Sequence, residues 1–333
     1  MPSDRLLGGP GVAPIATSVL LALAHPALAQ PLPSWNEGPA KEAIVRFVKD
    51  VSVRGSASFV APDERIAVFD NDGTLWPEQP IPVQLAFALD RVKAVAGDHP
   101  DWQDKEPFRS ILAGDVRTAL AGGEQAVAGI IVASHSGMTT EAFEAQVAAW
   151  LATARDPRFA RPYPELAYRP MLELLAYLRE NGFRAYIVSG GGIDFIRALS
   201  QRVYGIPPEQ VIGSQGKVVF ELRDGRPVLV KLAQLDLLDD KAGKPVAIHQ
   251  HIGRRPIAAF GNSDGDLQMM QWATAGPGPR FALIVHHTDA DREWAYERAP
   301  GIGELKEAMA EAKAKGWTVV DMQRDWKKVY AFE

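Results

Sequence analysis

Ile66-Ala67-Val68-Phe69-Asp70-Asn71-Asp72-Gly73-Thr74-Leu75-Trp76 is the stretch on which the reading of the fold turns. Four apolar residues with β preference run straight into Asp-x-Asp-Gly-Thr. An apolar run of that length, halted by Asn, Asp and Gly, reads as a buried parallel strand ending in a turn. Open α/β sheets bind their ligands at the carboxyl ends of their strands. Asp70 and Asp72 are therefore expected where a doubly wound protein keeps its chemistry. Gly73 permits the tight backbone, and Thr74 adds a hydroxyl. Two carboxylates this close repel unless a cation joins them or one holds a proton. A hard, oxygen-liking ion such as Mg²⁺ suits the pair. Taken alone, the same residues also fit an Asp-Gly hairpin turn.

The flanking sequence favours the first reading. Ala43, Ile44, Phe47 and Val48 lie at helical spacing within Ala40 to Val51, so an amphipathic helix precedes the strand. After Trp76 the signal becomes helical. Ile81, Leu85, Ala88, Leu89, Val92 and Val95 mark one helix face. Phe108 to Leu120, Glu124 to Ser134 and Thr139 to Ala154 read as further helices, the last with a capped start at Thr139. Only Gly129 to Val132 looks strand-like in this region. Alternation then resumes with a helix over Met171 to Leu178 stopped at Asn181-Gly182, and a strand over Phe183 to Val188. Further strands are expected at Pro256 to Phe260, Phe281 to Val285 and Trp317 to Val320. Val211 to Val230 reads as a hairpin around Asp224-Gly225.

Two more strands end in polar motifs. Phe183 to Val188 runs into Ser189-Gly190-Gly191-Gly192 and then a helix, which makes an anion cradle from backbone N–H groups and a helix N-terminus. Pro256 to Phe260 runs into Gly261-Asn262-Ser263-Asp264-Gly265-Asp266. Its oxygen-bearing side chains suit a cation shared with Asp70, and the loop lacks the spaced Glu of a full calcium site. Lys231, Lys241 and Lys244 lie between these motifs, and one of them is placed to neutralise a phosphate. His286-His287 and the pair His249 and His251 have no third ligand nearby, so packing or surface roles are expected. Trp76 and Glu78 either face the substrate, where they would meet a cation, or pack the hinge of the helical segment. Trp294 and Tyr296 read as core contacts.

In this order, Asp-x-Asp-Gly-Thr, Ser-Gly-Gly, Lys and acidic loop, the chain resembles the haloacid dehalogenase-like hydrolase superfamily. Within it the likeness is to the phosphoserine-phosphatase-like branch, over about residues 64–290. The resemblance implies an α/β fold, a Rossmann-like doubly wound parallel sheet with an inserted helical cap. Residues 30–76 and 161–333 would form the core and 77–160 the cap. It implies Asp70 as the nucleophile that forms an aspartyl-phosphate and Asp72 as the acid and base. Thr74, Ser189, Gly190 and Lys244 would contact phosphate, with Lys231 and Lys241 as rivals for the lysine. Asp70, Asp72, Asn262 and Asp266 would hold Mg²⁺. Asn262 departs from that branch, which has Asp there, and Asp264 is placed to compensate.

Composition narrows the function classes. The chain has 333 residues, 47% of them hydrophobic and 23% charged, as in an ordinary globular protein. A net charge of -5 gives no footprint for nucleic acid or an anionic membrane. With no cysteine there is no disulfide, thiolate metal site or lipid-anchored Cys. Arg5, a stretch free of charge and Ala27-Leu28-Ala29 read as a secretory signal cleaved after Ala29, which would place the mature protein in the periplasm or outside the cell, off the membrane. Residues 77–168 hold 12 acidic and 8 basic residues, a lid whose sign does not suit a large polyanion. The expectation is an exported, Mg²⁺-dependent phosphomonoesterase for a small phosphate ester. A proton donor at Asp72 argues for phosphate over halide chemistry, because a departing halide needs no proton. Phosphotransfer, phosphonate hydrolysis or simple ligand binding on the same fold are the alternatives. The sequence leaves the ester and the oligomeric state open.

Overall fold

The computed structural model describes residues 31–296 and 303–333. The expected signal segment, 1–29, lies outside the described residues. Seven strands form one sheet: β1 (Ile66–Phe69), β2 (Arg184–Gly192), β3 (Val211–Arg223), β4 (Arg226–Leu237), β5 (Ala258–Gly261), β6 (Phe281–His286) and β7 (Thr318–Asp321). Their order is β4-β3-β2-β1-β5-β6-β7, all parallel except the β3–β4 hairpin. From β1 the chain builds outward to one side through β2 and β3, then to the other through β5, β6 and β7. The direction reverses beside β1, which is where a doubly wound sheet opens a crevice for ligands.

Twelve helices accompany the sheet among the described residues: α1 (Pro39–Ser52), α2 (Val83–Val95), α3 (Phe108–Leu112), α4 (Val116–Ala119), α5 (Gly123–His135), α6 (Thr140–Thr153), α7 (Arg169–Glu180), α8 (Ile193–Tyr204), α9 (Gly243–Ile252), α10 (Leu267–Thr274), α11 (Glu307–Lys315) and α12 (Met322–Asp325). Successive strand side chains point to opposite faces. Ala67, Phe69, Ile187, Phe260 and Leu283 pack against α1, α7 and α8, whereas Val68, Val188, Ala259 and Ile284 pack against α9, α10 and α11. Phe69 stacks on its register partner Phe260 at 4.3 Å, which ties β1 to β5 directly beneath the site. No helix among the described residues is long and apolar enough to cross a membrane.

Between β1 and β2 the chain leaves the sheet through α2 to α7. Leu85, Ala88, Leu89, Val92, Trp102, Ile111, Ala119 and Ile130 form a small core of their own. Phe143, Val147 and Leu151 of α6, with Val83 and Phe87 of α2, join the main core instead. Three local expectations change here. The helix expected over Phe108 to Leu120 is two short ones, broken at Gly114 with φ 80°, and Asp115 caps the second by accepting from Thr118 N at 3.1 Å. The strand-like Gly129 to Val132 lies inside α5, because a short apolar run fits either period. Ser189 to Gly192 is the end of β2 itself, and its register with β3 slips between Ser189 and Gly192. The Asp224-Gly225 hairpin has both residues at positive φ, 51° and 74°, as a tight right-twisted hairpin demands.

Candidate active site

β1 delivers Asp70 to the middle of the carboxyl edge, where its N–H donates to the Phe260 carbonyl at 2.9 Å. The residue is 5% exposed. α9 starts at Gly243, where Leu238 O sits 2.3 Å from where a Cβ would be and so leaves no room for a side chain, and Lys244 follows at once. Lys244 Nζ donates to Asp70 Oδ1 at 2.7 Å, Asp266 Oδ1 at 2.6 Å and Val188 O at 3.0 Å. All three ammonium donors are engaged. Burial opposes the charge on Lys244, yet Asp266 and Asp70 more than offset this and raise its pKa. Burial, and then Asp266, push the Asp70 carboxyl well above the usual range against the pull of Lys244.

Asp72 lies alongside. Its Oδ1 accepts from Trp76 Nε1 at 2.9 Å, and burial raises its pKa while the Trp76 indole opposes the shift. Ser189 is buried at the end of β2 and accepts from Gly191 N at 3.0 Å. The exposed Gly190 completes that edge; its carbonyl accepts from Ser214 Oγ at 2.8 Å. Ser214 in turn accepts from Asp239 N at 3.0 Å. Asp239 is fully buried, and burial first of all lifts its carboxyl to about 7. The structure thus brings Asp70, Asp72, Ser189, Gly190 and Lys244 to one sheet edge. It separates the rival lysines: Lys231 pairs with Asp194 beneath the Phe143 ring, and Lys241 is exposed.

Three residues expected on phosphate or metal have other partners. Thr74 Oγ1 donates to Asn262 Oδ1 at 3.1 Å, so it ties two strand ends together and does not face the cradle. Asn262 Nδ2 donates to Glu78 Oε1 at 2.7 Å, which leaves both ends of its amide engaged by protein. Asp266 accepts from Lys244 through Oδ1, and from Asn262 N and Ser263 N through Oδ2 at 2.9 and 3.1 Å. It orients the lysine and closes its own loop. Asp264 caps α11, accepting from Lys306 N and Ala308 N at 3.0 and 2.8 Å. Trp76 is fully buried beside Phe195 and Tyr204.

A second set of residues grips the Asp70–Thr74 turn from behind. His287, at the end of β6, places Nε2 2.7 Å from the Gly73 carbonyl and Nδ1 3.0 Å from Glu293 Oε2. Glu293 also accepts from Tyr168 OH at 2.8 Å and Trp294 N at 2.6 Å. Tyr296 stacks on His287 and donates to Glu78 Oε1 at 2.7 Å. Burial lifts the Glu78 carboxyl well above its usual range; Tyr296 opposes this and Asp70 adds to it. Gly73 has φ 74°, and a Cβ there would sit 2.1 Å from Asn262 Nδ2 and 2.6 Å from Glu78 Oε1. Reading sequence alone assigns His287 to packing or the surface and Tyr296 to the core. The available signal was position, since His287 ends a strand on the same edge as Asp70.

The family model for haloacid dehalogenase-like hydrolases matches residues 67–271. No curated protein matches the chain. Among solved structures it is similar to a conserved, functionally unknown protein from Anaerococcus prevotii, at 16% identity over 84% of this chain and 91% of that one, with TM-score 0.55. A protein of unknown function from Bordetella pertussis is similar at 17% identity over 78% and 99%, with TM-score 0.50. A phosphoserine phosphohydrolase-like protein from Francisella tularensis is similar at 16% identity over 66% and 87%, with TM-score 0.36. With its match running from the central strand past the acidic loop, the chain belongs to the haloacid dehalogenase-like hydrolase family.

Proposed function

We propose that this chain is an exported phosphomonoesterase that hydrolyses a small phosphate ester through an aspartyl-phosphate on Asp70, with Mg²⁺ as its cofactor. One observation carries the reading: a buried carboxyl at the central strand end, Asp70, held through one oxygen by Lys244, with a second carboxyl, Asp72, beside it whose Oδ1 is held by the Trp76 indole. Lys244 fixes Asp70 Oδ1, which leaves Oδ2 as the attacking oxygen. As the Asp70–phosphorus bond forms, the ester P–O bond breaks and its electron pair stays on the leaving oxygen. Asp72 has Oδ1 held by Trp76, so it delivers its proton from Oδ2. In the second half, the ionised Asp72 takes a proton from water as that water attacks the phosphoryl group; the Asp70 Oδ2–phosphorus bond breaks, its electron pair returns to the Asp70 carboxylate, and phosphate leaves. Ser189 and the Gly190 edge of β2 face the phosphoryl oxygens.

The residues fit a hard cation. Asp70 and Glu78 are buried and Asp72 is half-buried; Asp72 adds to the upward shift of Asp70, both add to that of Glu78, and Lys244 is the buried cation beside Asp70. Among the described residues no three His, Asp or Glu side chains are grouped to hold a metal ion, so a cation here would take most of its shell from water. Asp70 and Asp72 would hold it. When bound, Mg²⁺ supplies charge that stabilises the phosphoryl oxygens. The acidic insertion speaks against a large polyanion as substrate.

Phosphate release from p-nitrophenyl phosphate and a panel of small esters, with and without Mg²⁺, tests the proposal. Asp70→Asn should lower turnover by at least about a thousandfold with an unchanged circular dichroism spectrum. Normal turnover in that variant rejects the assignment.

A further inference from the structure

His287 and Glu293 are both buried. Each ring nitrogen of His287 faces an oxygen at hydrogen-bond distance: Nε2 the Gly73 carbonyl at 2.7 Å, and Nδ1 the Glu293 Oε2 at 3.0 Å. A backbone carbonyl has no hydrogen to give, so Nε2 carries a proton. A neutral imidazole has a single N–H, so the state of Nδ1 decides whether the ring is charged.

The donors around Glu293 decide it. Oε2 also accepts from Trp294 N at 2.6 Å, and Oε1 accepts from Tyr168 OH at 2.8 Å. Burial, and then Glu293, push the Tyr168 phenol well above its usual pKa, so it keeps its proton and stays the donor. An Oε2 that gave its own proton to Nδ1 would be a weak acceptor for the Trp294 N–H, whereas an ionised oxygen takes short, strong bonds. Glu293 is therefore a carboxylate that receives three donors, and Nδ1–H is the third. The other titratable group against the ring is Tyr296, stacked on it with centroids 4.5 Å apart. Its phenol donates to Glu78, and burial followed by Glu78 holds its proton too, so it brings no charge to the ring. A buried ion pair persists only where further hydrogen bonds satisfy both partners. Here both N–H groups and both carboxylate oxygens have theirs.

We infer that His287 is a positioning residue: a buried imidazolium, paired with Glu293, whose charge-assisted bond to the Gly73 carbonyl holds the Asp70–Thr74 turn in its working shape. The positioning role rests on the phosphoester reading above; the charge on the ring does not. Gly73 directly follows the acid Asp72, and its N–H already donates to Trp76 O at 2.7 Å. The ring secures the other polar group of the same residue. Releasing that carbonyl frees the Gly73–Thr74 peptide, and with it the aim of Asp72 beside Asp70.

Nuclear magnetic resonance of the full chain with nitrogen-labelled histidine, at neutral pH, reads the ring directly. Its signals are those missing from the His287→Leu/Glu293→Gln variant. Both ring nitrogens should be protonated; a bare Nδ1, with the proton left on Glu293, overturns the charged pair. Turnover of p-nitrophenyl phosphate tests the role. His287→Leu and His287→Gln are compared in the Glu293→Gln background, so that no carboxylate is left buried without its cation. Leucine has no donor for the Gly73 carbonyl, and glutamine offers an uncharged one. The leucine variant should lose about a hundredfold in kcat with KM changed by less than about twofold, and the glutamine variant should recover about tenfold of that loss. Equal kcat in the two, with circular dichroism like that of wild type, would make the ring a packing element and overturn the positioning role. Should the leucine variant not fold, the glutamine variant is set against wild type, where a loss of about tenfold in kcat is expected; an unchanged kcat overturns the role of the charge. Wild type inert toward every ester tried removes the phosphatase reading and the positioning role with it, while the resonance spectrum still decides the charge on the ring.

Discussion

The sheet edge and the helical insertion handle charge in opposite ways. At the edge, Lys244, Asp70 and Asp266 pair with side-chain exposures of 2%, 8% and 1%. In the insertion, Lys105 pairs with Asp101 at exposures of 65% and 51%, and Arg109 with Glu106 at 61% and 42%. Buried charges that lose a partner are strongly destabilising, whereas exposed pairs contribute little. The edge is thus held by electrostatics that cannot be altered piecemeal. The insertion is held by a small apolar core of its own, with its ion pairs in solvent. On the reading proposed above, the part that performs the chemistry is the one whose charges are enclosed, and the part that meets the substrate is the one whose charges are in solvent.

The comparison can be broken most forcefully at Lys244. Replacing it as Lys244→Met leaves Asp70 and Asp266 buried without their cation. The expected cost is about 3–5 kcal/mol in chemical denaturation, together with loss of turnover. A variant that melts like wild type would show that the enclosed charges do not hold the edge. Next comes Ile130, fully buried in the insertion's small core. Ile130→Ala should cost about 2–4 kcal/mol, and hydrogen exchange should show the loss in α2, α3 and α5 while β1 and β5 keep their protection. Equal loss in both regions would mean that they unfold as one.

A smaller effect comes from His135, which burial, followed by the Lys231 ammonium, lowers from 6.5 to about 4. Between these limits the folded chain binds fewer protons than the unfolded chain. The contribution of the neutral ring is complete above pH 6.5 and is lost as pH falls toward about 4. The ring is only partly enclosed, so the loss should be about 1–2 kcal/mol, and His135→Gln should abolish that part of the pH dependence of stability. The smallest effect belongs to the exposed pair. Lys105→Ala should leave the melting temperature unchanged within error, and a shift of several degrees would contradict the contrast between the two regions.

What could be read in advance follows the same division. Ile66 to Phe69 and Phe183 to Val188 are short apolar runs stopped by polar motifs, so Asp70, Asp72 and Ser189 are found from local pattern. Lys244 could be narrowed to three lysines, and only the fold separates it from Lys231, which pairs with Asp194. The roles of Thr74, Asn262 and Asp266 depend on which distant group each one meets. Asn262 and Glu78 are 184 positions apart, and His287 and Gly73 are 214 apart. No periodicity reports such pairings. Within the insertion, Gly114 broke a helix that apolar spacing alone would continue, and the run Gly129 to Val132 adopted the helical period of its surroundings.

Gly73 shows what this arrangement allows to change. Its backbone takes a left-handed conformation, and a methyl group there would collide with both Asn262 and Glu78. Neither neighbour can retreat without releasing Thr74 or Tyr296. The catalytic turn therefore offers no gradual route to new chemistry through that position. Change at this turn would have to begin at Asn262 or Glu78, the two side chains that close the space beside Gly73.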